Sequence, residues 1–220
     1  MTEGPPTEKG ERRLPMALAV ITVAVLYLLI PADFRAFAAA VVVYPVALLV
    51  LLAILTLGDP GRIDQDKPWL RFVTGVLIGA IALATGVSAI RLVVGILQKA
   101  SFTSPGELLT IGAIVWLTNV IAFALLFWHL DRGGPAVRAK GTSPVPPGFR
   151  FQEEDLPGVA SADWFPQFVD YFALSFNTST AFGPADVSAI RHWSKLLLVL
   201  ESAISLTLVA LVVARAINIL

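Results

Sequence analysis

Residues 195–219 read KLLLVLESAISLTLVALVVARAINI, a run whose only charges after the opening lysine are Glu201 and Arg215. At ~1.5 Å of rise per residue such a run crosses a ~30 Å hydrocarbon layer as one helix. A carboxylate more than a turn inside that helix is costly to hold in lipid. Glu201 therefore reads either as a group facing a pore or as one hydrogen-bonded to a neighbouring helix. Arg215 reads as an anchor whose charge snorkels to the interface, with a gating charge as the other possibility.

Working outward, four more apolar runs lie upstream, at residues 14–30, 36–57, 69–97 and 107–130. The first is barely long enough to span, and the third is longer than a span requires. Between them sit a short turn around Asp33 and Arg35 and the turn-forming loop GDPGRIDQDKP. Residues 1–13 (MTEGPPTEKGERR) read as a disordered polar tail, with Arg12 and Arg13 as a membrane-side anchor. No small-x-small cleavage site ends the first run, so it reads as a retained helix. Trp116 and Trp128, in the fourth run, are placed to sit near lipid headgroups.

Residues 131–163 are rich in Pro and Gly and include the acidic patch Glu153-Glu154-Asp155. They read as an exposed loop, too poor in apolar residues for a core of their own. Residues 164–182 are moderately apolar but broken by Pro166, Asp170 and Asn177. A half-helix shielded by protein suits this stretch better than a lipid-facing span. Asp170 and Asn177 are candidates to cap or orient it. No internal repeat is visible.

Composition agrees with lipid as the solvent. The 220 residues are 56% hydrophobic and 15% charged, against about 25% charged in soluble domains, and mean hydropathy is +0.78. Zero formal net charge gives no basic surface for nucleic acid. With no cysteine and only His129 and His192, thiolate chemistry is excluded and a histidine metal site is not expected. Asp170, Asp186, His192 and Glu201 have no hydrolase or metal spacing, so neither catalytic residues nor a cofactor is expected and the chain does not read as an enzyme.

Residues 175–186, SFNTSTAFGPAD, and the inner run LLLVLES…LVALVVAR resemble the pore domain of bacterial potassium channels with two helices per pore domain. There the corresponding stretches read like SFVTLTTVGYGD and LAVLEA…LAVLVAR. Ser175, Phe176, Thr178, Thr180, Gly183 and Asp186 match on the filter side. Leu200, Glu201, Ala210, Ala214 and Arg215 match on the helix. The close match covers about a fifth of the chain.

The resemblance implies an outer helix at 107–130, the exposed loop 131–163, a half-helix and filter-like loop at 164–186, and an inner helix at 195–219. It implies a homotetramer that passes monovalent ions, with Thr178, Thr180, Ala181, Phe182, Gly183, Pro184, Ala185 and Asp186 at the filter position. It says nothing about the three helices within 14–106.

The filter itself departs from the pattern. T-V-G-Y-G becomes Ala181-Phe182-Gly183-Pro184-Ala185. A potassium filter strips water with rings of backbone carbonyls. Pro184 fixes its own φ and restricts Gly183. Ala185 lacks the freedom of the second glycine, at a penalty of about 1–2 kcal/mol for a left-handed turn. A potassium-selective filter of the usual shape is not expected. The first three runs also lack the regularly spaced cations of a voltage sensor.

The expected fold is thus an all-α polytopic membrane protein of about five transmembrane helices plus a re-entrant pore-type half-helix, in a bacterial cytoplasmic membrane. Six full spans are the alternative. Charge placement favours the alternative: Lys9, Arg12, Arg13, Arg62, Lys67, Arg71, Arg132, Arg138, Lys140 and Arg150 all fall on the tail side. The positive-inside rule makes that side cytoplasmic, whereas a channel-type pore loop would make it external. A non-conducting protein that keeps a channel-like scaffold is the second functional expectation.

Overall fold

The computed structural model describes residues 10–37, 41–98, 102, 104–141, 143–155, 164–180 and 187–219. The chain runs through β1 (Glu11–Arg12), α1 (Leu14–Leu29), a 3-10 turn at Ala32–Phe34, α2 (Val43–Gly58), β2 (Arg62–Ile63), α3 (Pro68–Leu97) and α4 (Pro105–Leu130). It continues through α5 (Pro135–Ala139), β3 (Phe149–Phe151), α6 (Phe168–Ser179), β4 (Val187–Ala189) and α7 (His192–Ile219). Prolines sit in the first or second position of α1, α3, α4 and α5, where a missing N–H removes no helical bond. Ser104 caps α4, its hydroxyl accepting from Glu107 N at 3.2 Å.

The described chain is mostly helical, and α3, α4 and α7 are long and apolar enough to cross a membrane. Helices α1 and α2 are equally apolar but have 16 residues each, ~24 Å of helix. The second helix starts at Val43, later than the expected position 36, and the backbone of Arg35 and Phe37 is engaged elsewhere. Tyr27 Oη accepts from Phe37 N and donates to Phe37 O, at 3.1 and 3.2 Å. Arg35 donates to Leu28 O at the end of α1, and Arg91 of α3 donates to Arg35 O.

The helices alternate between two ends of the bundle. Arg13, before α1, pairs with Asp59, after α2, at 2.9 Å, and β1 pairs antiparallel with β2. These contacts define the near end. Arg35 and Arg91 mark the far end. Helix α4 returns to the near end, where Trp128 Nε1 donates to Glu11 at 2.8 Å.

Helix α4 is the hub, packed against α1, α3, α6 and α7, and is apolar around its whole circumference, as a buried helix must be. Its most extensive contact is with α7. A Cβ on Gly112 would lie 2.8 Å from Val212 Cγ1, so only glycine lets these helices touch. Helix α7 is the least covered of the three long helices, and its outer face carries Leu196, Val199, Leu206, Val213 and Ile217.

Three expectations are corrected at the near end. The tail is not free up to residue 13: Glu11 and Arg13 are buried. Trp128 is enclosed rather than in contact with headgroups, because its indole N–H has the Glu11 carboxylate as partner. The segment 131–163 is, over its described part, folded onto the helix ends rather than an exposed loop. It has no core of its own, but Phe149 and Phe151 bury themselves against Tyr171 and Phe127. Strand β3 pairs antiparallel with β4, Phe149 opposite Ala189. The acidic patch stays exposed, with Glu154 paired to Arg132 and Asp155 to Arg150.

Candidate functional site

Helix α6 has twelve residues, ~18 Å and about half a hydrocarbon layer. Its N-terminus is built from three directions. Asp170 Oδ2 accepts from Gln167 N at 2.7 Å, and the Gln167 side chain completes a capping box. Glu11 accepts from Phe168 N, placing a carboxylate at the positive end of the helix dipole. Burial pushes the Glu11 carboxyl above its ordinary 4.5, partly offset by its bonds from Trp128 and Phe168.

One turn further on, Tyr171 donates to Asp131, whose other oxygen accepts from Gly148 N at 2.7 Å. The Arg138 guanidinium stacks 4.9 Å above the Tyr171 ring and donates to the Trp128 and Asp131 carbonyls. Glu11, Asp131 and Arg138 thus fix where α6 begins. The sequence carried no local sign of their roles, since each acts on a residue far away along the chain.

The C-terminal turn of α6 lies against the middles of two long helices. Trp116, near the centre of α4, donates from Nε1 to Ser179 O at 3.4 Å. Glu201 of α7 is fully enclosed (0% exposed), and its Oε1 contacts Ser175 Oγ and, at 2.9 Å, Ser179 Oγ. Asn119 of α4 donates to Ser205 Oγ at 3.1 Å, and Ser205 donates to Ser179 Oγ at 3.0 Å. A continuous polar seam therefore joins α4, α6 and α7 inside an otherwise apolar packing. Of the two expectations for Glu201, this geometry is the hydrogen-bonded one, and Asn119 is a link between helices.

Ser175 Oγ lies between two acceptors, Val120 O at 2.7 Å and Glu201, so it ties α6 to both α4 and α7. Among the described residues Glu201 Oε2 has no hydrogen-bond partner.

Of the residues expected at the filter, Thr178 is buried, with Oγ1 donating to Leu174 O at 2.8 Å. Thr180 donates to Phe176 O at 3.1 Å and Asn177 O at 3.0 Å. These are ordinary bonds within a helix end. Ala181, Phe182, Gly183, Pro184, Ala185 and Asp186 lie outside the described residues. Arg215 is on α7, some four turns beyond Glu201, and its buried Nε has no hydrogen-bond partner among the described residues. Among the described residues, no three His, Asp or Glu side chains gather into a cluster that could hold a metal ion.

Three helices long and apolar enough to cross a membrane are what a helical membrane protein contains. Compared with known proteins, the chain matches no family model, no curated protein and no solved structure.

Proposed function

We propose that the chain is a five-span protein of the cytoplasmic membrane in which α6 is a re-entrant half-helix, and that four copies form a pore passing monovalent ions with weak selectivity. One observation carries this reading. Helix α6 starts beside the near end of α4 and stops at Trp116, halfway along it. By Val187 the chain is back at the near end, where β4 pairs with β3. Short α1 and α2 fit the bilayer by local thinning or by flanking anchors.

The reading gives the half-helix an electrostatic purpose. Its C-terminus carries about half a negative charge, and Trp116 holds that end at mid-depth. Broken helices use such ends to favour cations in a low-dielectric setting. The seam through Glu201 holds that end in place.

A second reading, a non-conducting scaffold, is favoured by a different observation. The hydroxyls of Ser175, Thr178, Ser179 and Thr180 are all engaged in internal hydrogen bonds, which leaves fewer groups to line a water-filled path.

Ion flux from liposomes holding the purified protein separates the two. Potassium, sodium and chloride are compared, with Glu201→Gln and Gly183→Pro variants alongside and the subunit number determined in parallel. Weakly selective cation flux from a tetramer, altered by both variants, supports the pore. Reconstituted monomers or dimers without flux overturn it in favour of the scaffold.

A further inference from the structure

We propose that the near end of the bundle binds the headgroup of an anionic phospholipid in a cleft between α3 and the last turn of α4. A recess of about 40 Å³ there is lined by Arg13, Asp59, Lys67, Arg71 and His129, among others. It adjoins a groove of about 530 Å³ along α3, formed by Phe72, Gly75 and Val76. Asp66, Arg71 and His129 belong to both, so polar recess and apolar groove are continuous.

The charges select the occupant. Arg13 is neutralised by Asp59 at 2.9 Å, and Asp66 faces Lys140 at 3.4 Å. Among the described residues the Lys67 and Arg71 side chains have neither an ion-pair nor a hydrogen-bond partner, and both residues are exposed. The lining carries three cations, Arg13, Lys67 and Arg71, against two carboxylates, Asp59 and Asp66, and so keeps a net positive charge. The recess has room for a group of a few heavy atoms, one water needing ~10–15 Å³. A phosphate diester fits that charge and size.

The groove selects a lipid over a free anion. Phe72 is 72% exposed, and Val76 lies one turn deeper on the same exposed face. Gly75 leaves the floor between them open, and a Cβ there would meet only His129 Nε2, at 3.4 Å. Beside a bilayer, that strip is in contact with acyl chain. Arg71, in the first turn of α3, is then at the level of the phosphates, where each cation strengthens binding of an anionic lipid.

Native mass spectrometry of the detergent-purified protein tests this, with phosphatidylglycerol, phosphatidylcholine or glycerol 1-phosphate added. We expect one phosphatidylglycerol to remain bound and to raise the unfolding temperature, while the other two do neither. Lys67→Gln/Arg71→Gln is expected to weaken that binding roughly thirtyfold, from two membrane-level cations. Gly75→Leu, which fills the groove and keeps both charges, is expected to abolish it. Unchanged binding in the charge variant, or equal retention of phosphatidylcholine, overturns the proposal. An equal effect of glycerol 1-phosphate also overturns it, in favour of a free-anion site. Far-ultraviolet circular dichroism of each variant separates lost binding from lost folding.

Discussion

Ser179, in the last turn of α6, donates its hydroxyl to Glu201 at 2.9 Å, so the middle of α7 holds the end of the short helix. Because this bond is enclosed, losing one partner leaves the other without water to replace it. Ser179→Ala should destabilise the protein by about 1 kcal/mol, and Ser175→Ala/Ser179→Ala by about 3 kcal/mol, since it leaves the carboxyl without donors. Thermal unfolding in detergent gives the ranking. Equal stability of the double variant and the parent would show that the seam contributes nothing.

Glu11 ties the chain before α1 to Trp128 and to the first residue of α6. Burial raises its folded-state carboxyl above the ordinary 4.5. The folded protein therefore binds more protons than the unfolded one between 4.5 and the raised value. Stability should fall as pH rises through that window and level off above it. Glu11→Gln should remove this component and, by turning an amide donor towards one of the two N–H donors, lower stability by about 1–3 kcal/mol. Unfolding temperatures measured across this range, parent against variant, check the sign.

Arg13 and Asp59 form an ion pair that is nearly inaccessible to water and joins the start of α1 to the end of α2. Removing one partner strands the other, at about 3–5 kcal/mol. Arg13→Met or Asp59→Leu alone should be strongly destabilising, whereas the double variant should recover most of the loss, because two apolar groups need no partner. A double-mutant cycle on unfolding reads the coupling directly; additive losses would contradict it.

Gly112 lets α4 and α7 close to contact, with Val212 filling the space a side chain would need. Gly112→Leu should cost about 1–3 kcal/mol by overpacking. Trimming Val212 to Ala in the same chain should restore part of it, since the clash is with its methyl groups. Unfolding in detergent of the single and paired variants makes the comparison.

Much of the helical layout was legible because lipid-crossing segments announce themselves as long uncharged runs. Residues 69–97 and 107–130 come within two residues of α3 and α4. The interruption by Pro166, Asp170 and Asn177 marked residues 164–182 as unlike a span, and α6 there has only twelve residues. The start of α2 was misjudged because residues 36–42 are as apolar as the helix after them. The backbone of Phe37 is drawn instead to Tyr27, and the carbonyl of Arg35 just before it to Arg91, partners in other helices.

The polar residues divide in the same way. Glu201 stands out in its own segment, since a carboxylate inside an apolar run needs an explanation wherever it points. Glu11, Asp131 and Arg138 sit in stretches that read as tail and loop, where charge is ordinary. Hydrophobic run lengths, a property of consecutive residues, determined that this is a helical protein suited to a membrane and which segments are its long helices. Only the tertiary structure decided that Trp128 is enclosed, that a carboxylate from residue 11 caps a helix beginning at residue 168, and that Glu201 meets Ser175 and Ser179. Those are pairings across long stretches of chain, and burial and partnership arise when helices pack.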